Sequence, residues 1–106
     1  MSGIESKDIR KIVIACDAGM GSSVMLATQV RRQLKGEGIE VVHTPVNSIP
    51  GDADVVLCHA GLAARARASI SAKAPDTVLI PFQVFIGDPA VTRLIDTIKK
   101  GGTVDA

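Results

Sequence analysis

Four short apolar runs constrain this chain more than any other feature: KIVIA (11–15), IEVVH (39–43), DVVLC (54–58) and TVLI (77–80). Each is rich in β-branched residues and nearly continuous rather than alternating. An alternating strand has one wet face. A strand without alternation is buried on both faces, as in a parallel sheet covered by helices.

Helical patterns fill most of the gaps between these runs. Ser22 to Lys35 carries Leu26, Val30 and Leu34 four residues apart and stops at Gly36 and Gly38. Leu62 to Ala72 is alanine-rich, with Ala66 and Ile70 on one face. Val91, Leu94, Ile95 and Ile98 form an apolar stripe, with Asp88 as N-cap, Pro89 at the first helical position and Gly101 past the end. TPVNSIPG, between the second and third runs, holds two prolines and reads as a loop. The order is β-α-β-loop-β-α-β-α, an α/β fold. Right-handed crossovers give a four-stranded parallel sheet, order 2-1-3-4, with three helices on its two faces. The domain is expected over 10–100, with 1–9 a flexible leader and 101–106 a flexible tail.

The rest of the chain narrows the function classes. At 106 residues it is long enough for one domain with a real core. Phe82 and Phe85 are the only aromatics and the net charge is +1, so neither a stacking platform nor a basic field calls for nucleic acid. No apolar run approaches the ~20 residues of a membrane span, so no direct membrane insertion is expected. MSGIESKDIR lacks the apolar stretch of a signal peptide, and Cys16 and Cys58 make no disulfide framework. A reducing cytoplasm with free thiols is the expectation.

In a parallel sheet of this order, ligands bind beyond the carboxyl end of the first strand. That position holds ACDAGMGSS, Ala15 to Ser23. Gly19 and Gly21 let the backbone N–H groups of Asp17, Ala18, Gly19, Met20, Gly21, Ser22 and Ser23 turn inward, at the positive end of the first helix. Ser22 and Ser23 add hydroxyls. The segment is suited to a phosphate-sized anion, and the same donors favour a thiolate at Cys16. A nucleophile beside a phosphate cradle implies phosphoryl transfer through phosphocysteine. No third glycine completes a dinucleotide fingerprint, and no lysine completes a Walker loop. Six residues after Cys16 stands Ser22, where small cysteine phosphatases place an arginine. A loop without that clamp holds a phosphoryl group but hydrolyses it poorly.

ACDAGMGSSVM resembles the phosphorylation loop of the mannitol-type IIB domain of the bacterial sugar phosphotransferase system, and DVVLCHAGLAARA (54–66) is similar to that family's third strand and second helix. The resemblance covers roughly 10–100 and implies a phosphoryl carrier. In that family the loop cysteine, here Cys16, accepts phosphate from a histidine of a IIA domain. It then passes the group to a hexitol held in a membrane-embedded IIC domain. The resemblance implies a cytoplasmic domain at the inner face of the membrane, monomeric by itself, with no cofactor and no metal. The alternatives are a low-molecular-weight cysteine phosphatase or arsenate reductase relative with Asp88 as general acid, and a non-catalytic anion-binding module.

Other residues carry weaker signals. His59 ends the third run and is a candidate for the edge of the site. Cys58 reads as a small core residue. His43 reads as a surface histidine. A zinc set of Cys16, Cys58, His43 and His59 fits no usual ligand spacing. PFQVFIG (81–87) either roofs the core with its phenylalanines or, with Met20, docks partners. Arg31, Arg32, Arg65 and Arg67 read as solvated helix faces.

Overall fold

Strand β2 (Lys11–Cys16) is the axis of the molecule. In the computed structural model, which describes residues 3–16, 21–73, 77–84 and 88–105, it lies between β3 (Glu40–Pro45) and β4 (Val55–His59), and β5 (Val78–Phe82) flanks β4. All three pairings are parallel, giving the order β3-β2-β4-β5. This is the 2-1-3-4 sheet expected from the sequence. Its helices are α1 (Gly21–Gln33), α2 (Ala63–Lys73) and α3 (Pro89–Lys100).

The two faces of the sheet hold two separate cores. Ile12, Ile14, Val41, Val55, Leu57, Val78 and Ile80 pack with α1 and α3. Val13, Ala15, Val56, Cys58 and Leu79 pack with Ala66 and Ile70 of α2. This is why the runs do not alternate: both faces are dry. The β3–β4 connection, read as a loop, holds a short 3-10 turn at Val46–Ser48, and its Val46, Ile49 and Ala53 join the α2 core. That segment packs beside α2 on the same face of the sheet.

The two edge strands are β3 and β5, and each carries a proline near its carboxyl end, Pro45 and Pro81. Proline lacks the N–H that an edge would offer to another chain. At the opposite end, the Asp54 carboxylate accepts from the backbone N–H groups of Arg10 and Lys11, at 2.7 and 3.0 Å, and fixes β2 against the start of β4. Arg31, expected to be only solvated, donates from its guanidinium to the Val41 carbonyl on the outer side of β3 at 2.7 Å.

The terminal segments depart from the expectation. Gly3–Glu5 and Thr103–Asp105, within the supposed flexible leader and tail, pair antiparallel as β1 and β6, with Ile4 opposite Val104. Val104 and Ile9 are buried, and Ile4 packs against the α1–α3 core. Burial of these three apolar side chains offsets the ordering cost of the ends. Ser6 strengthens the closure: its hydroxyl donates to the carbonyls of Thr97 and Gly102, and its N–H donates to Gly102 as well. Thr97 O lies in the last turn of α3, so Ser6 adds a side-chain donor at that helix end. Gly101 ends α3 in the left-handed region, φ 75°, with its N–H on the Ile98 and Thr97 carbonyls.

Candidate functional site

The carboxyl end of the sheet gathers the residues that carry chemistry. Cys16 is the last residue of β2 and is 8% exposed. It follows Ile12 and Ile14 on the α1 side of the sheet, and its thiol donates to the Thr44 carbonyl at 3.7 Å, a normal length for sulfur. Five residues on, Gly21 opens α1. The expected cradle residues Asp17, Ala18, Gly19 and Met20 lie outside the described residues. Gly21, Ser22 and Ser23 form the first turn of α1, which contains no acidic residue to cancel the positive end of the helix. A parallel strand ending at a thiol, with a helix N-terminus five residues on, is an arrangement suited to an anion carried on sulfur.

His59, expected at the site's edge, ends β4 one residue beyond the Ala15–Cys58 rung. Its Nδ1 accepts from the Gly61 N–H at 3.1 Å, capping the 3-10 turn Ala60–Leu62, and its ring meets Phe82 edge to face at 6.0 Å. With Nδ1 accepting, a neutral His59 carries its proton on Nε2.

Cys58, one rung below Cys16, faces the α2 core and is 0% exposed. Burial pushes its thiol up to about 11, against a smaller opposing pull from the Arg67 guanidinium. Sulfurs on opposite faces of the sheet do not converge on one metal ion. His43, on the rung with Ile14, is exposed.

Asp88 has a structural task. Its side chain is buried and caps α3 through the Ala90 N–H at 2.8 Å, while its other oxygen accepts from Gln83 and Val84 at 2.6 and 3.0 Å. Burial alone would raise its pKa, but the backbone N–H groups of Val84, Gln83, Ala90 and Val91 outweigh that and hold the carboxyl below the usual range. A carboxylate so held is a poor proton donor, which weighs against Asp88 as the general acid of the phosphatase alternative. Phe82 roofs the core, whereas Val84 is 49% exposed; Phe85 lies outside the described residues. Val24 and Met25, in the first two turns of α1, are 46% and 55% exposed.

Thr44 escaped the reading of the sequence. Its only sequence signal is its position at the end of the second apolar run. Its contact with Cys16 depends on strand register, which local pattern does not encode.

Comparison with known proteins adds to this geometry. Residues 11–97 match the family model described as "PTS system, Lactose/Cellobiose specific IIB subunit". The "PTS system mannitol-specific EIICB component" of Geobacillus stearothermophilus is 42% identical over 94 residues, covering 87% of this chain and 19% of that protein. The protein of the same description from Bacillus subtilis (strain 168) is 39% identical over 101 residues, covering 93% of this chain and 20% of that protein. The chain thus spans about a fifth of the length of these relatives. The lactose-specific IIB component domain of Streptococcus pneumoniae has the same fold, with TM-score 0.54 and 14% identity over 89% of this chain and 91% of that one.

Proposed function

The chain belongs to the IIB family of the sugar phosphotransferase system, and from that premise we propose that Cys16 carries a phosphoryl group between two other domains. The donor is a phosphohistidine of a IIA domain. The acceptor is a hexitol, mannitol, held by a membrane-embedded IIC domain. The observation that carries this reading is the position of Cys16: it ends the central strand at the carboxyl edge of the sheet, five residues before the N-terminus of α1. Mannitol follows from the relatives that share 42% and 39% identity. No helix of the described residues is long and apolar enough to cross a membrane.

The chemistry divides into two displacements. In the first, the Cys16 sulfur attacks phosphorus in line, an S–P bond forms and the N–P bond of phosphohistidine breaks. The electron pair goes to the imidazole, which takes up the thiol proton. In the second, a sugar hydroxyl oxygen attacks the same phosphorus, the S–P bond breaks, and the hydroxyl proton returns to sulfur. The backbone N–H groups from Asp17 to Ser23 hold the equatorial oxygens in both steps. Ser22 supplies no guanidinium to speed attack by water, so the phosphocysteine waits for its acceptor.

Incubation with phosphorylated IIA of a mannitol system, followed by mass spectrometry, tests the reading. The wild type gains one phosphoryl group on Cys16, stable until IIC and mannitol are added. Cys16→Ser folds and gains none, because a serine hydroxyl is far less nucleophilic at neutral pH. A wild type that releases inorganic phosphate with no acceptor present is a phosphatase, and the carrier reading is then wrong.

A further inference from the structure

We propose that Thr44 of β3 is a phosphocysteine-binding residue, its hydroxyl supplying a hydrogen bond to the phosphoryl group carried by Cys16; this rests on the carrier reading above. Two observations meet at this residue. Its carbonyl accepts the Cys16 thiol proton at 3.7 Å. Its Oγ1 is also buried with no hydrogen-bond partner, the single such side-chain nitrogen or oxygen among the described residues. A buried hydroxyl without a partner is costly, and native structures rarely keep one without a use for it.

Cys16 stands opposite Pro45, and Ala15 opposite Thr44, so the hydroxyl lies one rung back from the cysteine near the carboxyl end of β3. Val42 packs with the α2 core, and Thr44, two residues on, shares its face. The hydroxyl therefore approaches the sheet's edge from the α2 side, and the sulfur from the α1 side.

The two groups of Thr44 serve the two states of the site. Before transfer, the carbonyl engages the thiol proton and orients the sulfur. As the S–P bond forms and the N–P bond breaks, that proton leaves with the imidazole, and three anionic acceptor oxygens arrive at the strand end. The hydroxyl, free to rotate, then gains the acceptor it lacks at rest.

The test uses the whole chain equilibrated with a limiting amount of phosphorylated mannitol-system IIA. The ratio of phosphocysteine to phosphohistidine is read by mass spectrometry, and the phosphocysteine environment by its phosphorus resonance. Thr44→Val keeps the shape and the carbonyl but loses the hydroxyl. Its unfolding temperature should equal or exceed that of the wild type, since an unsatisfied buried group is gone. Its phosphocysteine ratio should fall about tenfold or more, as expected for loss of a hydrogen bond to a charged group, with a displaced phosphorus resonance. Thr44→Ala must repeat the loss, and Thr44→Ser must restore both ratio and resonance. A valine variant with the wild-type ratio and resonance overturns the proposal, as does a serine variant that behaves like valine. A wild type that takes up no phosphoryl group overturns the carrier reading itself, an outcome distinct from both.

Discussion

Cys16 and Cys58 sit on neighbouring strands, each opposite a proline of an edge strand, Pro45 and Pro81. They are one rung apart and face opposite sides of the sheet. Those two differences decide their chemistry. Cys16 is the last residue of its strand, with its thiol on a carbonyl and a helix N-terminus five residues on. Cys58 is followed by His59, which ends β4, and is enclosed with Ala15, Val56 and Ala66. The same side chain thus stands at a strand's end, ahead of a helix start, in one case and inside a packed core one step back in the other. Register distinguishes them where residue type cannot.

Alkylation is the measurement with the largest expected contrast. A thiol raised to about 11 is ionised in roughly one molecule in a thousand at pH 8, and it is enclosed as well. Iodoacetamide should label Cys16 at least about a hundredfold faster than Cys58 in the folded protein, the sites being read by peptide mapping. Phosphorylation should protect Cys16 and leave the slow rate at Cys58 unchanged. Comparable rates at the two sites would break the contrast.

The sheet order, the three helices, the Asp88 cap and the place of Cys16 were legible in the sequence because each rests on local pattern. Continuous β-branched runs mark buried parallel strands, and Asp-Pro before an apolar stripe marks a helix start. The β1–β6 pair was not legible. Two three-residue strands carry too little periodicity, and their pairing joins Gly3 to Asp105 across nearly the whole chain. Thr44 was hidden for a related reason: its meeting with Cys16 follows from the β2–β3 register. Asp88 was visible as a cap but also considered as an acid. Its N–H partners at Gln83 and Val84, five and four residues back along the chain, give it a structural task that local pattern does not encode.

Asp88 gives the next effect in size. Asp88→Ala removes the cap of α3 and the acceptor for two N–H groups at the end of β5. The cap alone is worth ~1 kcal/mol and the loop bonds add to it, so a loss of about 2–3 kcal/mol is expected in denaturant unfolding. The pH dependence follows from the lowered pKa. The stabilisation is fully present above the ordinary carboxylate value near 3.8 and is lost as pH falls from there through the folded value. The wild type should therefore weaken over that acid range, and the alanine variant should show a shallower acid slope. Cys16 of the variant should still accept phosphate once folded. Loss of phosphoryl uptake by folded Asp88→Ala would mean that the carboxylate takes part in transfer, and that the site extends across β4 to β5.

The smallest effect belongs to the second cysteine. Cys58→Ala deletes one sulfur from a packed core next to Ala66, and should cost about 1–2 kcal/mol at neutral pH. Phosphoryl transfer should be unchanged, because the Cys58 side chain is fully enclosed in the α2 core and reaches no open surface. The variant also isolates an alkaline effect. The thiol's folded pKa, about 11, exceeds its ordinary value of 9.0. Between those values the unfolded chain releases its proton while the folded chain keeps it. The contribution is thus fully present below pH 9.0 and is lost as pH rises through about 11. In urea unfolding, the wild type should lose stability across that window, and Cys58→Ala should lose less, so the gap measured at pH 7 narrows toward pH 11. A gap that stays constant from pH 7 to 11 would mean that Cys58 ionises as readily in the folded chain as in the unfolded one. The core would then be open to water at that rung, and the contrast between the two cysteines would rest on position along the strand alone.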